Sequence, residues 1–275
     1  MSEKLIPKNP EEVMVIRDVS PNVTTLSVPF LRFGKVKFGG RATIVRLSSG
    51  SLAVFSPVAL TPTVKTKVQS LGGKVAYIAA PDLEHHIFLS DWATAFPEAH
   101  LIAPEGLAEK RASQSASNPR VTILDFQTIF SAATKAQQRV SDEFDRDFEY
   151  EFVDAHPNKE IVFFYKPDAT LIQADLLFNM PATEQYSRTG EDAAAGWINK
   201  LFCGLQNTRG DALWQKRMLW YGFSAKDRTG FNASIQRIAQ WPFKDIVPCH
   251  GDVMQGDGEQ IFKKVMAWHI AGLKK

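Results

Sequence analysis

Two cysteines, Cys203 and Cys249, are too few in 275 residues for a disulfide framework. No run of about 18 apolar residues occurs, so the pattern offers no membrane span. Neither sign of charge prevails: 32 Lys and Arg stand against 30 Asp and Glu, a formal net charge of +2. That balance gives no electrostatic footprint for nucleic acid. The opening MSEKLIPKNPEEVMVIRD is polar and has no apolar core for a secretory signal, so the sequons at Asn22 and Asn232 carry little weight. A GxSxG elbow, a P-loop and a Rossmann glycine pattern are all missing, and with them the support for those chemistries. What these absences leave is a reduced, cytoplasmic, enzyme-sized protein whose expected partner is a small molecule.

Hydrophobic residues make up 44% of the chain and charged residues 23%, enough for a substantial core. TIVRL (43–47) and LAVF (52–55) flank a Ser-Ser-Gly-Ser turn and read as a hairpin. Thr61-Pro62 opens a helix that Gly72-Gly73 ends. VAYIAA (75–80) is short enough for a buried strand, followed by a helix over 87–96 and a strand at HLIAP (100–104). FEYEF (148–152) alternates with period two, which predicts a buried aromatic face and solvated glutamates. Strands follow at IVFFY (161–165) and TLIQA (170–174). Residues 190–240 turn helical and aromatic-rich. A last strand, DIVP (245–248), precedes a C-terminal helix around 260–273.

Only six histidines occur, yet His85 and His86 stand side by side in APDLEHHIFLSDW, just after VAYIAA. Asp175 follows TLIQA, His250 follows DIVP, and His156 lies beyond FEYEF. In layered α/β folds the loops beyond strand ends share one crevice, and imidazole with carboxylate suits zinc, iron or manganese.

The order of these segments resembles the metallo-β-lactamase-like hydrolase superfamily. Its signature is a strand with Thr-His-x-His-x-Asp-His, then Gly-His, then Gly-Asp after a strand, and finally Pro-Gly-His-Gly. IVPCHGD matches the last element, TLIQADLLF the third and VDAHPNKEIVFF the second, over roughly residues 22–255. The first element departs from the pattern. Pro81 and Leu83 fall where the first two histidines belong, His85 takes the aspartate position and His86 keeps the last histidine. Ser56 likewise replaces an aspartate usual at its strand end. FSPVAL, APDLEHHIFLSDW and TLIQADLLFN together are similar to a divergent branch without a characterised function.

The resemblance implies an αββα sandwich, two packed mixed sheets flanked by helices. It reads as one domain over 1–275 with a helical insertion at about 190–240. In two-metal members, Pro81 and Leu83 would stand at one of the two sites, and neither side chain can ligate. The expectation is therefore one divalent ion, zinc first with iron or manganese as alternatives, bound by His85, His86, Asp175 and His250. His156 would be a fifth ligand or a proton shuttle, or else a surface histidine before a turn. Asp82 and Glu84 would be a general base or acceptors for imidazole N–H groups, or simply solvated. Cys249 is expected to point away from the ion, and His100 and His269 to be structural.

Three functions remain open at this point. The first is a metallo-hydrolase of a small ester, thioester or lactone, acting through a metal-activated water, with Asp175, His156 and Glu84 as the working groups. The second is a mononuclear metal enzyme of another class, such as an iron-dependent oxygenase, isomerase or decarboxylase. The third is a non-catalytic scaffold. The aromatic residues at 197–223 are either core or the wall of an apolar pocket, and Thr183, Tyr186 and Arg188 are candidates to meet a substrate's polar end. The acidic run at 142–147 reads as a solvated loop.

Overall fold

The apolar stretches pair into two main sheets in a computed structural model that describes residues 7–273. The first six residues of the polar opening lie outside the described residues. In chain order the strands are β1 (Val15–Asp18), β2 (Val23–Val28), β3 (Leu31–Arg32), β4 (Val36–Lys37), β5 (Gly40–Arg46), β6 (Leu52–Phe55) and β7 (Val75–Ala79). They continue as β8 (His100–Pro104), β9 (Thr128–Phe130), β10 (Phe148–Val153), β11 (Glu160–Tyr165), β12 (Thr170–Gln173) and β13 (Asp245–Pro248). One sheet runs β1-β2-β5-β6-β7-β8-β9 and the other β10-β11-β12-β13, while β3 and β4 form a small hairpin. From β6 to β9 the strands are parallel, as are β12 and β13; the other pairs are antiparallel.

Alternation along each strand splits its side chains between two cores. On β7, Tyr77 and Ala79 face the second sheet, whereas Ile78 faces the helices. Phe55, Tyr77, Phe130, Phe148, Phe152 and Phe163 interdigitate between the sheets. Each such buried side chain contributes about 1.5–3 kcal/mol. Helices Pro62–Ser70, Leu89–Ala95 and Leu107–Ser115 cover the outer face of the first sheet through Val64, Val68, Leu89, Trp92 and Leu107. Helices Arg228–Ile238 and Gly258–Val265 cover the second through Phe231, Ile235 and Phe262. The layers are therefore helix, sheet, sheet, helix, as expected. Thr61 caps its helix as foreseen, accepting the Val64 N–H. Among the described residues no helix is long and apolar enough to cross a membrane.

Two polar expectations fail. Glu151 on β10 is buried, not solvated, because Ser234 and Arg237 on the helix packed above it both donate to its carboxylate. The acidic run at 142–147 is a short helix, capped by the Ser141 hydroxyl, and its last residue, Asp147, is buried against Ser48.

Candidate metal centre

The carboxyl ends of β7, β12 and β13 meet at one edge of the sandwich. After β7 the chain turns through Pro81-Asp82-Leu83, pinned by the Ile161 N–H to the Pro81 carbonyl at 2.7 Å and the Leu83 N–H to the Asn158 carbonyl at 3.0 Å. Asp82 is fully buried inside this turn. Its Oδ1 accepts the backbone N–H groups of Glu84 (2.7 Å) and His85 (2.8 Å), and the His85 Nδ1–H at 2.8 Å. The carboxylate that shapes the turn thereby also fixes the imidazole, an arrangement that orients metal-ligating histidines.

Beyond β13, His250 donates its Nδ1–H to the Gly39 carbonyl at 2.7 Å. The next residue must be glycine: Gly251 has φ +86°, and a Cβ there would lie 2.3 Å from the Asn179 carbonyl oxygen. Beyond β12, Asp175 is held at both ends. Its backbone N–H donates to Glu160 Oε2 at 2.8 Å, and the Asn158 amide donates to Oδ2 at 2.6 Å, leaving Oδ1 free of that bond.

Three donor atoms converge as a result. His85 Nε2 lies 3.1 Å from His250 Nε2, which lies 3.2 Å from Asp175 Oδ1, and ligand atoms of all three residues fall within 4.8 Å of one another. Because both Nδ1 atoms donate to oxygens that only accept, the neutral rings turn bare Nε2 lone pairs toward each other and toward a carboxylate. Such a set calls for a cation. Burial lowers the His85 pKa, but Asp82 and Asp175 outweigh that and push it up to about 9. Burial raises the Asp175 carboxyl, yet His85 and His250 hold it well below the ordinary range. Glu160, buried and close to Asp82 and Asp175, is driven well up. Two histidines and one carboxylate match both a catalytic zinc site and the facial set of non-haem iron.

His86 does not join them. Its Nδ1 lies 3.2 Å from the buried Arg111 guanidinium, and burial together with Arg111 and Lys110 lowers its pKa to about 4. Adjacent side chains on this turn diverge, so the expected pair in one coordination sphere becomes a single imidazole. His156 is buried between Phe223 and Phe231, not at the surface. Its Nδ1 accepts the Asn158 N–H at 3.2 Å, and its Nε2 has no hydrogen-bond partner among the described residues. Burial lowers its pKa to about 4. Glu84 is committed to Lys110 (2.7 Å) and Arg32 (3.2 Å), which overcome the effect of burial and keep it below the usual carboxylate range. Cys249 donates to Ser56 at 2.9 Å. Tyr186 and Arg188 bond the backbone carbonyls of Phe30 and Met14. His100 meets Thr128 and His269 meets Asn232, both structural contacts.

The three donors line one side of a cavity of about 620 Å³, within the size range of small-molecule sites. Its apolar wall is Phe30, Phe33, Phe38, Phe178, Phe202 and Phe223. Phe38 stacks on Phe202 at 4.5 Å and meets His250 edge-on at 5.2 Å. Of the aromatic segment 197–223, Phe202 and Phe223 reach the cavity, while Trp197 and Trp214 are exposed and Trp220 packs against Trp268 and His269. Much of the wall comes from residues 28–40, where no sequence pattern marked a pocket. Glu160, Asn158 and Arg111 were also missed; the one available signal was a carboxylate opening the otherwise apolar run of β11.

Comparison with known proteins agrees with this architecture. A metallo-β-lactamase from Pontibacter korlensis superposes with a TM-score of 0.58 at 12% identity, covering 93% of this chain and 98% of that one. A metal-soaked flavodiiron core from Synechocystis sp. PCC6803 gives 0.61 at 14% identity, over 93% of this chain and 60% of that one. A metallo-β-lactamase from Hirschia baltica gives 0.55 at 9%, over 93% and 97%. By sequence, no curated protein matches. The domain of unknown function DUF4336 matches residues 33–194, more than half of the chain. The chain thus belongs to the DUF4336 family and has the metallo-β-lactamase fold.

Proposed function

We propose that this protein is a mononuclear metal-dependent hydrolase of a small apolar or aromatic ester, thioester or lactone. The observation that carries this reading is the convergence of His85 Nε2, His250 Nε2 and Asp175 Oδ1 on one point beside an aromatic cavity. These three atoms would hold the ion, which would acidify a bound water and polarise a carbonyl. Asp82 and the Gly39 carbonyl keep the two imidazoles in the ligating tautomer, and Asn158 keeps Asp175 turned toward them. The phenylalanine wall orients an apolar acyl group and excludes water. Glu84, tied to two cations, is removed from the role of general base. The whole chain is read as one domain, with helical residues at 190–240 lending Phe202, Met218 and Phe223 to the cavity.

The two-histidine, one-carboxylate set favours a second reading, an iron enzyme with oxygen chemistry, and the flavodiiron likeness is in keeping with it. Elemental analysis beside a panel of ester, thioester and lactone substrates separates them. Zinc with hydrolysis lost in Asp175→Asn and His250→Ala supports the first; iron with oxygen-dependent turnover supports the second. Hydrolysis untouched by both substitutions would refute the metal mechanism.

A further inference from the structure

Arg111 is buried from solvent, yet no carboxylate pairs with it among the described residues. Burying a guanidinium without a counter-charge is costly, and its Nε has no partner among the described residues, so the bonds of its two Nη atoms hold it in place. Nη1 donates to the His86 carbonyl (3.0 Å) and faces His86 Nδ1 (3.2 Å), and Nη2 donates to Ser90 Oγ (2.7 Å) and the Thr122 carbonyl (2.8 Å). A guanidinium is always protonated and only donates. His86 Nδ1 is therefore the acceptor, and in the neutral ring the proton sits on Nε2.

A protonated Nε2 has no lone pair to give a metal, and a bare Nδ1 facing Arg111 cannot reach one. His86 nonetheless lines the same cavity as His85, Asp175 and His250, and its Nε2 makes no hydrogen bond within the described protein. We propose that His86 is a fixed Nε2–H hydrogen-bond donor to a substrate oxygen, with Arg111 as its positioning residue. This rests on the hydrolase reading for the identity of that oxygen, the carbonyl or carboxylate oxygen of the apolar substrate. The donor polarises or anchors the oxygen and keeps its proton, as preorganised donors do where negative charge develops. The opposite tautomers within one site follow from neighbours: Asp82 and Gly39 accept from Nδ1 of His85 and His250, whereas Arg111 donates to Nδ1 of His86.

Imidazole nitrogen NMR of the full chain labelled on histidine tests the tautomer directly, the His86 signals being assigned by their loss in His86→Gln. The expected result is a bare Nδ1 and a protonated Nε2, with the proton partly returning to Nδ1 in Arg111→Gln. Zinc uptake should be unchanged in His86→Gln and lost in His250→Ala. Benzoate, an aromatic carboxylate that fits the cavity chemistry, should bind His86→Phe at least about tenfold more weakly than the native chain, and His86→Gln, which keeps a donor, should lose less. A proton on Nδ1, zinc lost on His86→Gln, or benzoate that fails to bind or binds His86→Phe equally well would each overturn the proposal. A native chain that takes up no zinc would instead sink the metal reading, leaving the tautomer measurement to decide this one.

Discussion

His85 and His250 face each other Nε2 to Nε2 at 3.1 Å, and the Nδ1–H of each ring donates a hydrogen bond to a fixed oxygen. Two lone pairs so placed repel unless a cation or an added proton lies between them. Zinc added to chelated protein should raise the melting temperature, because an ion that binds only the folded chain stabilises it by about 4 kcal/mol at a thousandfold excess over Kd. Calorimetry with and without metal reads this, and His85→Ala or Asp175→Asn should abolish the rise. Two equivalents bound at full occupancy would contradict a single site.

Asp82 bonds to His85 and to the turn around it, and so acts on the centre through that imidazole. Asp82→Asn keeps the shape but replaces a carboxylate partner with an amide, so metal affinity should fall roughly 10- to 100-fold. Competition against a chelating dye measures it. An unchanged affinity would mean that His85 needs no such partner.

Glu160 accepts the backbone N–H groups of Ala174 and Asp175 at 2.7 and 2.8 Å while fully buried. Glu160→Gln offers one oxygen to those two donors and turns an NH2 toward the other. Denaturant unfolding of metal-free protein should show a loss of about 1–3 kcal/mol.

His269, on the short helix Ala267–Ile270, is buried, with its Nδ1–H donated to Asn232 at 2.7 Å. Burial and Arg228 lower its pKa from 6.5 to about 4. The unfolded chain therefore binds the proton first as pH falls, so stability is intact above pH 6.5 and declines as pH drops toward 4. The loss attributable to this residue is about 3 kcal/mol. Unfolding midpoints of His269→Phe and the native chain, compared across that interval, should converge at low pH; parallel curves would refute the assignment.

How far these features were legible varies with the range of the cause. Period two in FEYEF and the apolar run VAYIAA are local, and they marked β10 and β7 with a buried aromatic face and a buried core. His85, Asp175 and His250 stood out because polar groups ended apolar strands, and those three do converge. Glu151 looked solvated by the same alternation, but its partners Ser234 and Arg237 lie more than 80 residues away on a helix packed against β10. The cavity wall at residues 28–40 carried no periodic signal, since it is built from a hairpin of two-residue strands and loops whose side chains meet only after the helix Trp197–Leu205 lies beside them.

Periodicity marked the strands, and polar residues at strand ends marked the candidate ligands; that two sheets stack, with those ligands grouped at one edge, was what the resemblance of the segments to the metallo-β-lactamase-like superfamily implied. Alternation and burial are properties of neighbouring residues along the chain, so they are written locally. Which of two adjacent histidines enters that group was decided only by tertiary structure. The direction of an imidazole depends on whether its Nδ1 meets an acceptor, as at Asp82, or a donor, as at Arg111, and those partners are brought into place by folding.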